Sequence, residues 1–165
     1  RGLSLENTLY FPQLPELVDF ANAVPDLTIV LNHIGGLYRV GSYANRDDEV
    51  IPTWRSGIAA VAACPNIYLK LGGVGQPRYG FDWYTWDKPI GSEEMAQALS
   101  PLMNYCIEQF GPDRCMFESN FPPDKVSFSY NVMYNAFKRL SGGYLAAERA
   151  AMFHDTAARI YRIDV

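Results

Sequence analysis

The sequence predicts an α/β fold, a parallel sheet covered by helices, on three observations. Apolar runs of strand length alternate with segments of helical periodicity. The runs are almost continuously apolar, as strands buried on both faces require. Two of them also end in polar chemistry and a break: Thr28-Ile29-Val30-Leu31 delivers Asn32 and His33 before Gly35-Gly36, and Cys115-Met116-Phe117 delivers Glu118, Ser119 and Asn120 before Pro122. Two strands that end this way point to one shared site. Four strand-helix units make half of an eight-stranded barrel, and periodicity alone allows an open doubly wound sheet as well.

The first strand is expected near Leu5–Tyr10. After Pro12, the residues Leu14, Leu17, Val18 and Ala21 recur at helical spacing and stop before Pro25. The second strand covers Thr28–Asn32. A polar loop follows, and then a helix from Asp47 to Ala63, whose Asp47, Asp48 and Glu49 suit the positive end of its dipole. Asn66–Leu71 is the third strand. It runs through Gly72-Gly73 into an aromatic loop with Tyr79, Phe81, Trp83, Tyr84 and Trp86. Ser92 is expected to cap the next helix, which ends near Phe110-Gly111. Cys115–Ser119 is the fourth strand, and helices are expected at Ser127–Leu140, Leu145–Phe153 and Thr156–Tyr161. No composition break divides residues 1–165, so they read as a single partial domain.

Composition excludes several classes of function. At 165 residues, with 48% hydrophobic and 19% charged, the chain is an ordinary globular segment. A net charge of −4 and no Lys/Arg run argue against nucleic acid as a partner. No apolar run reaches the roughly 18 residues of a membrane span, and no signal peptide opens the chain. Cys64, Cys106 and Cys115 lack zinc-finger or CxxC spacing and read as reduced core thiols, which fits the cytoplasm. The chain opens on Arg1 rather than Met and is expected to be an interior piece of a longer protein.

Five segments carry a resemblance: Leu9-Tyr10-Phe11-Pro12-Gln13-Leu14, Leu31-Asn32-His33-Ile34-Gly35-Gly36, Lys70-Leu71-Gly72-Gly73, Phe110 through Pro122, and Thr156-Ala157-Ala158-Arg159-Ile160-Tyr161-Arg162. In that order they resemble the amidohydrolase-related family of metal-dependent hydrolases. The match covers essentially the whole chain and is similar to the C-terminal half of a family member, strands five to eight. The resemblance implies a (β/α)8 TIM barrel of about twice this length. It also implies hydrolysis of a small lactone, ester or amide, with decarboxylases among the relatives. His33 occupies the place of a family His that binds metal or the substrate carbonyl. The family's Tyr-His-Pro-Gln reads Tyr10-Phe11-Pro12-Gln13 here, so that ligand is gone. Asn120 stands where a family Asp takes a proton from water, and Asn is no base near neutral pH. The paired histidines that complete the family's divalent metal site, zinc for example, would lie before Arg1.

The residues themselves set the roles expected of them. His33, Glu118 and Asn120 are the catalytic candidates, with His33 also the metal candidate. Strand alternation puts Glu118 one layer below Asn120, on the face shared with Tyr68, Lys70 and Gly72. Lys70 either pairs with Glu118 or snorkels outward, and with Arg39 and Trp83 it is a substrate-binding candidate. Arg39 and Arg46 are candidates for a substrate carboxylate, although a solvated loop is the plainer reading. The loop carrying Trp83 either covers a substrate pocket or packs on a neighbour. His154 reads as a surface residue, as do Asp124 and Lys125. Gly73-Val74-Gly75 lacks the third glycine of a dinucleotide loop, and no serine lies in a nucleophile elbow. The expected partner is a small-molecule substrate. An unclosed sheet has open edges, so pairing with the missing barrel half or with a second copy is also expected, and the piece alone should be inactive. The alternatives are a non-catalytic ligand-binding barrel and an open α/β domain.

Overall fold

The computed structural model describes residues 2–164. Four strands, β1 (Ser4–Asn7), β2 (Thr28–Leu31), β3 (Ile67–Leu71) and β4 (Cys115–Phe117), form one parallel sheet in the order β1-β2-β3-β4. Register pairs Glu6 with Val30, Val30 with Tyr68, and Lys70 with Met116. The strands advance in sequence order without the reversal that defines a doubly wound sheet, so the progression is that of a barrel.

The sheet has two unlike faces. Ile29 and Leu31, Ile67, Leu69 and Leu71, and Cys115 and Phe117 enter the main core beneath the helices. Glu6, Val30, Tyr68, Lys70 and Met116 alternate with them and share the opposite face. In a closed barrel this second face is the interior.

The covering helices are α1 (Leu14–Ala23), α2 (Asp47–Ala62), α3 (Ser92–Phe110), α4 (Tyr130–Leu140), α5 (Ala146–Ala150) and α6 (Thr156–Tyr161). Their apolar stripes supply Leu14 and Leu17, Trp54 and Ile58, Leu99 and Met103, and Phe137 to the core. Several boundaries differ from expectation. Strands β1 and β4 end earlier than expected, at Asn7 and Phe117. The cap of α3 is Gly91 rather than Ser92, and the Glu94 carboxylate accepts from its N–H at 3.1 Å. The α4 helix begins at Tyr130 rather than Ser127, and Ser129 caps it by accepting from the Val132 N–H. A π turn at Ala151–Asp155 joins α5 directly to α6 where two separate helices, Leu145–Phe153 and Thr156–Tyr161, were expected.

Two polar side chains fasten the end of the sheet far from His33. The Asn66 amide donates to the carbonyls of Ala21, Val24 and Leu27 at 3.1–3.2 Å, which fixes the turn between α1 and β2. The Arg114 guanidinium donates to Ala62, Cys64 and Phe110 carbonyls, placing a cation at the negative ends of α2 and α3. All three cysteines are free and buried, and burial pushes the Cys106 and Cys115 thiols up, so they remain protonated core groups. Among the described residues no helix is long and apolar enough to cross a membrane.

Candidate active site

The polar residues gather where strands end and loops begin, at the C-terminal edge of the sheet. The chain leaves β2 through a left-handed turn: His33, Ile34, Gly35 and Gly36 have φ of 56°, 47°, 71° and 65°. That conformation is costly for His and for β-branched Ile. Neighbours hold it in place. The Tyr79 hydroxyl donates to the His33 carbonyl at 3.1 Å, Trp54 Nε1 donates to the Ile34 carbonyl at 2.8 Å, and the His33 N–H donates to Glu118 Oε1 at 3.1 Å.

Glu118 also meets the imidazole. Its Oε1 lies 2.5 Å from His33 Nδ1, and the side chains are 13% and 14% exposed, so water competes weakly for either. An ionised carboxylate only accepts, so the contact requires a proton on Nδ1 and leaves Nε2 as the ring nitrogen that Glu118 does not engage. Gly73 makes room for this arrangement. Its φ is 68°, and a Cβ there would lie 2.2 Å from His33 Nδ1.

The charges continue across the inner face. Lys70 Nζ is 3.0 Å from Glu6 Oε2 and 3.9 Å from Glu118 Oε2, so Lys70 does not snorkel outward but bridges two carboxylates. The Tyr161 hydroxyl donates to the other Glu6 oxygen at 2.5 Å. Burial pushes the Glu6 carboxyl upward, but the Tyr161 and Lys70 donors outweigh it and hold the group below its ordinary range. Burial, reinforced by Glu6, pushes the Tyr161 phenol up.

Asn120, two residues beyond Glu118, has a φ of 48°. One amide proton goes to Asp124 Oδ1 at 2.7 Å, which leaves the second as a donor. The surface role expected of Asp124 is overturned, since it is 0% exposed. Its Oδ2 accepts from the Gly75 N–H at 2.9 Å, and Ser127 donates to the Gly75 carbonyl, so the loops after β3 and β4 are clamped together. Burial raises the Asp124 carboxyl, and the Gly75 and Asn120 donors oppose the shift without cancelling it.

The other candidates lie outside this cluster. Arg39 donates through Nε and Nη2 to both Asp47 oxygens, and its guanidinium lies 5.5 Å from the centre of the Phe81 ring. Arg46 is tied to Glu49. Trp83 is 4% exposed and stacks on Phe81 at 4.3 Å. His154 is exposed and contacts Asp155. The sequence singled out neither Glu6 nor Tyr161, read Asp124 as a surface residue, and showed Tyr79 only as one of several loop aromatics. Alternation within Ser4–Asn7 would have put Glu6 on the inner face; no local signal marks the other three.

A zinc-like ion needs three or four converging ligands. Among the described residues no group of three or more His, Cys, Asp or Glu is placed to hold a metal. The described residues therefore do not by themselves make up a metal site.

The sheet order, the unlike faces and the strand-end cluster agree with one further finding: the sequence profile of the amidohydrolase family matches residues 4–163. The chain belongs to the amidohydrolase family. The uncharacterized protein y4mH of Sinorhizobium fredii is 34% identical over 163 residues, 99% of this chain and 48% of that protein. An L-fucono-1,5-lactonase of Burkholderia multivorans is 28% identical, over 92% of this chain and 48% of the enzyme. A Burkholderia multivorans amidohydrolase crystallised with bound zinc superposes with a TM-score of 0.80 at 26% identity, covering 96% of this chain and 52% of that one. The chain thus spans about half the length of the curated relatives it matches. Its four parallel strands with their helices match about half of an amidohydrolase TIM barrel.

Proposed function

We propose that this chain supplies half of the catalytic barrel of a hydrolase that opens a small lactone, ester or amide with water. The observation that carries the reading is the His33–Glu118 pair, held at 2.5 Å on a left-handed turn at the end of a barrel strand. Backbone strain fixed by three separate hydrogen bonds is what a preorganised catalytic group requires.

In this mechanism His33 Nε2 accepts a proton from water as the water oxygen bonds to the carbonyl carbon. Glu118 keeps Nδ1–H in place and stabilises the imidazolium that forms. The free amide proton of Asn120 donates to the oxyanion. When the intermediate collapses, the bond to the leaving oxygen or nitrogen breaks and the imidazolium returns its proton to that atom. Lys70, anchored by Glu6 at 3.0 Å, faces the second Glu118 oxygen at 3.9 Å, while Arg39 and Trp83 fix the loops around the mouth. The sheet edges at β1 and β4 would be closed by four further strand-helix units or by a second copy of the chain. A metal like the zinc of the Burkholderia structure would need its remaining ligands from outside residues 2–164, with His33 as one imidazole.

The test is turnover by the full-length protein of L-fucono-1,5-lactone and δ-valerolactone, followed by proton release as the carboxylic acid forms. Enzyme-dependent acid release is expected, with first-order dependence on protein. Binding without turnover would leave a ligand-binding barrel, and release of CO₂ from an aromatic acid would make the protein a decarboxylase; either result would overturn the hydrolase reading.

A further inference from the structure

A cavity of about 310 Å³ lies between the first two loops of the mouth, lined by Tyr10, Pro12, Gln13, Tyr38 and Tyr43. Tyr10, Pro12 and Gln13 follow β1, whereas Tyr38 and Tyr43 belong to the loop that begins at His33. Both segments leave the C-terminal edge of the sheet, on the side that carries the His33–Glu118 pair.

The walls are locked before any ligand arrives. Tyr10 and Tyr38 pack edge to face at 5.1 Å and 76°, and Tyr38 and Tyr43 at 6.0 Å and 86°. Buried Phe11 supports Tyr43 from below at 5.2 Å. The two loops approach at Gly36, where a Cβ would lie 1.7 Å from the Leu9 carbonyl oxygen, so only glycine allows Tyr10 to stand against Tyr38. Gln13 Oε1 is already occupied by the Tyr10 N–H at 3.0 Å.

The chemistry of the lining selects the ligand. No charged side chain faces the cavity, and Arg39, in the same loop as Tyr38 and Tyr43, is paired with Asp47, so an anionic group finds no counter-charge. The three aromatic faces suit C–H bonds or a ring plane. Among the described residues none of the phenol hydroxyls of Tyr10, Tyr38 and Tyr43 is hydrogen-bonded to the protein, which leaves three polar groups for ligand hydroxyls or a ring oxygen. Tyr10 is 46% exposed, so its ring has surface still to be desolvated. A volume near 300 Å³ is at the small end of ligand sites and suits one substituted six-membered ring.

We propose that Tyr10, Tyr38 and Tyr43 form a subsite for an uncharged, hydroxylated ring. The assignment rests on the hydrolase reading for its link to turnover, but binding at the subsite can be measured without it. The probe is 1,5-anhydroglucitol, a neutral hydroxylated ring that has no carbonyl to hydrolyse. It should perturb the ring resonances of Tyr10, Tyr38 and Tyr43 in tyrosine-labelled full-length protein, and glucuronate, a ring with a carboxylate, should bind more weakly. Tyr10→Ala, at an exposed position, should weaken binding about tenfold, the equivalent of one lost aromatic wall. Tyr38→Phe, which keeps the ring, should weaken it only a few-fold by the same scale. Absence of probe binding, perturbation confined to other tyrosines, or an unchanged affinity in Tyr10→Ala would overturn the subsite. His33→Ala separates the two claims, because it should abolish lactone turnover and leave probe binding intact; binding without any wild-type turnover would sink the hydrolase reading alone.

Discussion

Glu118→Gln is expected to lower kcat for lactone hydrolysis by about 10²–10⁴ with little change in KM. Glutamine keeps the length of the side chain, and its carbonyl oxygen can still accept from Nδ1–H and from the His33 N–H. The fold and the ring position should therefore survive. What disappears is the negative charge that stabilises the imidazolium, and that charge matters only after His33 has taken the proton. A loss in kcat alone is the signature of an interaction made in the transition state. A rise in KM at constant kcat would instead place Glu118 in substrate binding. Lys70, 3.0 Å from Glu6 and 3.9 Å from Glu118, keeps a partner in either case, so an unpaired buried cation is not a competing explanation.

Asp124→Ala should cost about 2–5 kcal/mol, since it strands the Gly75 N–H and the Asn120 amide without an acceptor in a fully buried position. On a chain of this size that is a fall in Tm of roughly 5–15 °C, readable by calorimetry. The pH dependence gives an independent check. Burial raises the folded-state pKa of Asp124 above its unfolded value, so the native state binds more protons in the interval between the two. Stability should therefore carry a component that declines as pH rises from the ordinary aspartate value through the raised one, and is constant above it. Asp124→Asn should remove that decline. An unchanged slope in the variant would mean that Asp124 titrates as an exposed carboxylate does.

Most of the fold was legible because it rests on local pattern. The helices Leu14–Ala23, Asp47–Ala62 and Ser92–Phe110 follow from apolar spacing, acidic first turns and glycine or proline stops. Periodicity could not choose between an open sheet and half a barrel, because both use the same strands. The order of the strands and the polar inner face decide it. The strand ends gave His33 and Glu118 as candidates, and alternation placed Glu118 on the inner face.

What the sequence hid depends on partners far away along the chain. Asp124 reads as a turn residue after two prolines, and its burial is set by Gly75, 49 residues earlier. Lys70 was matched with Glu118, whereas its shorter contact is to Glu6, on a strand that Lys70 reaches across β2. Tyr79 read as one of several loop aromatics, and only the left-handed turn at His33 explains why its hydroxyl is needed. Arg39 has the right chemistry for a substrate carboxylate, but Asp47, eight residues on, already occupies its guanidinium.

The central claim, that Glu118 holds His33 through a proton on Nδ1, is tested most directly by nitrogen-15 NMR of the imidazoles. The chain has two histidines, so His154→Gln leaves one set of signals to assign. The account predicts a protonated Nδ1 with a downfield proton, a bare Nε2, and an upfield move of that proton in Glu118→Gln. A neutral ring protonated on Nε2 instead, or a spectrum indifferent to Glu118→Gln, would contradict it.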